Sequence, residues 1–170
     1  MNSKTKNIVL TGLMAAIISV IAVWQIPLPF GVPLTFQIFA VALSGYTLGR
    51  RRGTLAAFLY IAIGAVGIPV FTGFRGGLSV VAGPGGGFII GFLLVAFLCG
   101  VGSHKKTAAS LLLGFSGLIL CHTAGTFYYS FVQDTPFAAS FFAVSLPYIL
   151  KDCVLISFAY FLSLPIKKHI

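Results

Sequence analysis

The strongest constraint on this chain is how little it offers to water. Residues 8–23 and 111–120 contain no Asp, Glu, Lys or Arg. Across the whole chain 8% of residues are charged, against roughly 25% in soluble domains. Apolar residues make up 58%, and the mean hydropathy is +1.06. With no polar face to turn outward, such runs belong in a bilayer, where a helix satisfies its own backbone. The length, 170 residues, fits one domain spanning 1–170.

Six apolar segments can be drawn, at residues 8–23, 34–48, 54–68, 88–101, 107–132 and 141–166. A hydrocarbon core takes about 20 helical residues to cross. The first segment is adequate, the last two are generous and the middle three are short. Short or Gly/Pro-interrupted spans are tolerated where backbone lines a protein cavity, so the middle of the chain is where a site is expected. Lys4 and Lys6 precede the first segment, Arg50, Arg51 and Arg52 follow the second, Lys105 and Lys106 the fourth, and Lys167 and Lys168 the sixth. Six crossings put all four clusters on one side, leaving Arg75 and Asp134 on the other. The positive-inside rule makes that basic side, with both termini, cytoplasmic. The expected fold is thus an all-α, multi-pass protein of the cytoplasmic membrane.

The same placement disposes of other readings. The net charge of +9 comes in short clusters between apolar segments, not as a basic domain, so no nucleic-acid partner is expected. The stretch around Trp24-Gln25-Ile26-Pro27 is a poor signal-peptide cleavage site. Cys99, Cys121 and Cys153 sit in apolar runs without CxxC or Cys/His spacing, and are read as buried thiols. No metal site or cofactor is expected. GxxxxGK[ST], HExxH and GxSxG are all absent, and Asp134 and Asp152 are the only carboxylate side chains. Catalysis is correspondingly unsupported, and no catalytic residue is assigned.

Binding residues are easier to nominate. The outer connection over residues 69–87, PVFTGFRGGLSVVAGPGGG, is long and Gly-rich. Glycines such as Gly73 and Gly86 permit positive φ and close approach to a ligand, while Phe71, Phe74, Leu78, Val80 and Val81 are out of place in a free linker. A folded loop capping a cavity is expected between the third and fourth helices. Arg75 is either solvated there or meets an anionic ligand. Thr35 serves as a helix-start residue or a ligand group, and Gln37, deeper in its segment, is harder to explain as structure. Asp152 lies well inside the last segment, where a charge costs about 2.5–3.5 kcal/mol even on lenient scales. It needs a partner, either in a structural ion pair or in a ligand. Lys151 beside it points about 100° away on a helix, which suits two groups flanking one polar ligand better than an ideal pair. In the first segment Gly12, Ala15, Ala16 and Ser19 give small-xxx-small spacing, for packing inside the chain or against another membrane subunit.

Two stretches, IPLPFGVPLTFQIFAVALSGYTLGRRRG over residues 26–53 and GAVGIPVFTGFRGGLSVVAGPGGGFIIGF over 64–92, resemble the biotin S-component (BioY) family of energy-coupling-factor transporters. The GPGGG run is similar to that family's GPTGG. The resemblance implies a high-affinity biotin-binding membrane subunit, with biotin the transported ligand and not a cofactor. It also implies a transmembrane coupling subunit and two cytoplasmic ATPases as partners, although some biotin members are reported to work alone. It maps the family's coupling motif to Ala15 and Ser19, and its ligand-binding Asp to Asp152 after Pro147-Tyr148. One departure stands out. The family pattern has Gly before this Asp and Lys three residues after it, where this chain has Lys151 and Leu155. Positions 151 and 155 share a helix face, so the lysine is read as relocated. The rival readings are a solitary or ion-coupled biotin carrier, an S component for another small vitamin, and an intramembrane enzyme.

Overall fold

The structure is a computed structural model that describes residues 2–26 and 34–170. Residues 27–33, near the start of the first of the two resembling stretches, lie outside the described residues.

The fold is mostly helical. α1 covers Ser3–Ala22, α2 Gln37–Ala65, α3 Leu78–Val81, α4 Gly86–Gly102, α5 Thr107–Gln133, α6 Phe137–Val144 and α7 Leu146–Lys167. A two-residue antiparallel ladder, β1 (Gln25–Ile26) with β2 (Leu34–Thr35), is a small departure from an all-α chain. Three helices, α1, α5 and α7, are long and apolar enough to cross a membrane by length and composition.

α2 carries one continuous helical assignment but is two rods. Gly49 sits at φ 77°, ψ 174°, a conformation open to glycine and strained for other residues. Beyond it the chain doubles back: Ser44 Oγ donates to Gly53 O at 3.3 Å, although nine residues of straight helix would separate them by about 13 Å. A Cβ on Gly53 would stand 2.6 Å from Gly45 Cα, so the two glycines set the spacing of the hairpin. The arginine run 50–52 is therefore at a bend, between segments 34–48 and 54–68, not in mid-span.

The core sits between α2 and α4, where Ala40, Val41, Tyr46, Ala56, Ala57, Tyr60, Val95, Ala96 and Cys99 are buried. α1 packs on α2 through Thr11, Met14, Ala15, Ile18 and Ala22, one face at helical spacing. α5 joins the other side of α4, and α7 closes the bundle against α2 and α5. Outward faces stay apolar, with Leu112, Ile119, Phe127 and Phe131 on α5 and Leu150, Val154 and Phe158 on α7 all exposed. A belt of this kind suits lipid, not water.

The last apolar segment is not one helix from residue 141. The chain breaks at Ser145 (φ −122°, ψ −54°) and α7 starts at Leu146. Pro147 follows at the N-terminal turn, where its missing N–H costs nothing. The 69–87 connection contains α3 and is folded throughout. Phe71 packs edge-on against Tyr60 with ring centroids 5.5 Å apart, Gly77 N donates to Gly64 O at 2.7 Å, and Tyr128 Oη from α5 donates to Ala82 O at 3.0 Å.

The basic clusters gather at one end of the bundle. Arg52 Nη1 donates to Asn7 Oδ1 at 2.6 Å, Lys167 Nζ to Ser103 O at 2.6 Å, and Lys6 Nζ to Ile170 O at 2.5 Å. The start of α2, the 69–87 connection, the end of α5 and the start of α7 form the opposite end.

Candidate functional site

That opposite end holds a cavity of about 590 Å³, within the ~300–1,000 Å³ typical of small-molecule sites. Its walls are mainly apolar: Ile38 from α2, Phe71 and Val80 from the connection, Phe88, Ile89 and Phe92 from α4, and Val144 from α6. Polar groups converge on it from four directions. Thr35 and Gln37 come from the entry to α2, Thr72 and Arg75 from the connection, His122 and Tyr129 from α5, and Tyr148, Lys151 and Asp152 from α7.

Asp152 is 6% exposed and would be costly if unpartnered. Its Oδ1 lies 2.7 Å from Lys151 Nζ and its Oδ2 3.2 Å from His122 Nε2. The expectation that neighbours 151 and 152 pair poorly needs correcting, because the long lysine stem bends back to make the contact. The pairing is nonetheless one of charge more than direction: Oδ1 receives no well-aligned hydrogen bond. Lys151 Nζ spends a proton instead on Thr35 O, at 2.8 Å, and lies 5.7 Å from the Tyr148 ring centre. Asp152 Oδ1 is thus a buried acceptor with no directed hydrogen bond, beside the Lys151 ammonium group, on a residue that lines the cavity.

Five of the residues nominated from sequence, Thr35, Gln37, Arg75, Lys151 and Asp152, line the cavity together. Their roles differ. Gln37 Nε2 donates to Tyr60 Oη at 2.7 Å, which fixes the amide. Arg75 Nε donates to Thr72 O at 3.1 Å, and the exposed guanidinium stands at the mouth. With Lys151 it gives the cavity two fixed cations against one carboxylate, a balance that favours an anionic ligand.

Gly73 and Gly86 do not line the cavity. A side chain at Gly73 would press on Gln25, with Nε2 at 3.0 Å, and one at Gly86 would collide with the Val81 carbonyl. Their smallness serves packing of the connection, and Gly73 (φ 72°) also takes the positive φ expected of it. The small-residue stripe on α1 also divides. Ala15 is 2% exposed, turned onto α2, and is not available to a partner. Gly12 and Ala16 face outward, and Ser19 is half-buried with its hydroxyl donating to Ala15 O at 2.8 Å.

His122 has no HExxH companion in the sequence, and the packing of α5 on α7 places it against Asp152. Its Nδ1 is 2.9 Å from Ser145 Oγ, and Ser145 Oγ is 2.6 Å from Thr126 Oγ1. The available signal was the His122/Thr126 pair at i, i+4, one polar stripe on an otherwise apolar helix. Among the described residues, no group of three His, Cys, Asp or Glu side chains could hold a metal ion.

A model of the BioY family matches residues 1–170. The biotin transporter BioY of Thermotoga maritima is 38% identical over 167 residues, covering 96% of each chain. The probable biotin transporter BioY of Pyrococcus horikoshii is 38% identical over 152 residues, covering 89% of this chain and 90% of its own. Among solved structures, the S-component for biotin from an ECF-type ABC transporter superposes with a TM-score of 0.88 at 26% identity, over 99% of this chain and 95% of that one.

Proposed function

This chain belongs to the BioY family, and from that premise we propose that it is the biotin-binding membrane subunit of an energy-coupled uptake system. The observation that carries the reading is buried Asp152 paired with half-buried Lys151 on the wall of a mainly apolar cavity. Biotin combines a fused bicycle, a ureido group and a carboxylate tail. The phenyl rings and aliphatic side chains of α2, α4 and the connection suit the bicycle. The Asp152 carboxylate accepts a ureido N–H, and Lys151 or Arg75 balances the tail. Thr35 and Gln37 complete the polar rim.

The membrane arrangement belongs to the same proposal. The two legs of α2 and α4 join α1, α5 and α7 to make six spans, with the basic end and both ends of the chain in the cytoplasm. The cavity then opens to the outside, where a scavenged vitamin arrives. Nothing in the sequence resembles an ATP-binding loop, yet uphill import needs an energy source. A transmembrane coupling subunit and cytoplasmic ATPases supply it, and the outward residues Gly12 and Ala16 of α1 are the part of the small-residue stripe open to such a partner.

Uptake of labelled biotin by cells lacking their own transporter tests this reading. Cells expressing the chain with a coupling module should accumulate biotin, and a hydrolysis-dead ATPase should abolish the accumulation. Equal accumulation without any ATPase would favour a solitary carrier instead. No uptake under either condition would contradict the proposal.

A further inference from the structure

We propose that His122, held by Ser145 and Thr126, is a positioning residue that pins one oxygen of Asp152 and so fixes the orientation of this carboxylate at the ligand cavity. The inference rests on reading the cavity as the biotin site, but its geometry is independent of which ligand enters.

A carboxylate on a single rotatable bond presents two equivalent oxygens. Here they are made different. Oδ2 meets His122 Nε2 at 3.2 Å, while Oδ1 faces the Lys151 ammonium at 2.7 Å without a directed hydrogen bond. A carboxylate can only accept, so Nε2 must carry the proton of that bond. The other ring nitrogen is then matched to Ser145 Oγ, at 2.9 Å, whose hydroxyl is matched in turn to Thr126 Oγ1, at 2.6 Å. Every member of this row is buried: His122 is 5% exposed, and Ser145 and Thr126 are 0%.

The row also explains a feature of the fold. Ser145 occupies the break between α6 and α7, so its backbone sets where its hydroxyl stands, and the hydroxyl sets the imidazole. Phe88 packs edge-on against the ring, centroids 5.7 Å apart, and closes the remaining freedom. His122 and Thr126 on α5, Ser145 at the helix junction and Phe88 on α4 thereby fix the orientation of one side chain on α7. This is the arrangement by which a supporting hydrogen bond orients a ligand-binding group.

The test uses the full chain in detergent, with nitrogen-labelled histidine and a biotin titration. His122 should show a protonated Nε2, and Asp152→Asn should shift that resonance, while Ser145→Ala should shift Nδ1. In binding, His122→Leu should lose roughly ten- to a hundredfold in affinity, as expected for a hydrogen bond to a charged group. His122→Gln, whose amide nitrogen reaches about as far as Nε2, should recover most of that loss. The unliganded thermal midpoints of the two variants should agree, which separates positioning from folding. An unprotonated Nε2, a His122→Leu variant that binds like wild type, or a Gln variant no better than the Leu variant would each overturn the proposal. If the wild type itself failed to bind biotin, the biotin reading would fall, and the response of the Nε2 resonance to Asp152→Asn would decide the positioning role alone.

Discussion

At the scale of residues, the account turns on Lys151 and Asp152. A buried carboxylate left without its cation typically costs a few kcal/mol, so these two must be treated as a unit. Lys151→Met keeps the stem and removes the charge. It should weaken biotin binding by roughly tenfold or more, since hydrogen bonds to charged groups are worth about 1.5–3 kcal/mol. Lys151→Gly combined with Leu155→Lys returns the cation one turn along the same face, and should recover most of the affinity despite about 1 kcal/mol for glycine in a helix. Biotin amide, which lacks the carboxylate, should be insensitive to Lys151→Met if the lysine serves the tail. Wild-type affinity in Lys151→Met would remove this residue from the site. The pairing of positions 151 and 152 could be anticipated only in part, because helix geometry fixes the Cβ directions but not how far a four-carbon stem folds back. His122 could not be tied to Asp152 from sequence at all, since thirty positions separate them and only the packing of α5 on α7 brings them to 3.2 Å.

At the scale of elements, segment boundaries were readable where chemistry punctuates them. The Gly49 and Arg50–Arg52 turn separates two rods, and the lysines of 105–106 precede α5 closely. The break at Ser145 was not readable, because 137–144 and 146–167 are similarly apolar and Pro147 alone does not distinguish a helix start from a kink. The rotation of α1 was equally hidden. One face meets α2 and the other turns outward, and both are apolar, so nothing in the sequence says that Ala15 turns inward while Gly12 and Ala16 turn outward. Element order has a direct consequence in a membrane. Reporter fusions after Arg52 and after Lys106 should report the cytoplasm, and fusions near Gly77 and Asp134 the exterior. A cytoplasmic Gly77 would break the six-span arrangement, since the connection that supplies Phe71, Arg75 and Val80 to the cavity would then face the wrong side.

At the scale of the molecule, the two ends of the bundle divide the labour. One end collects cations, knitted by Arg52–Asn7 and Lys167–Ser103 hydrogen bonds, and the other holds the cavity and the only buried carboxylate among the described residues. Between them α2 and α4 pack closely, Gly45 against Ala96 and Cys99 and Gly100 against Arg50. The central claim is that the cavity takes biotin through Asp152, and a thermal melt of purified wild type and Asp152→Asn with and without biotin tests it most directly. A ligand at about a hundred times its Kd should stabilise the wild type by about 2.7 kcal/mol, and other small vitamins at the same concentration should do much less. Asp152→Asn should show a markedly smaller rise with biotin. An unchanged wild-type midpoint, or the same rise in Asp152→Asn, would contradict the account.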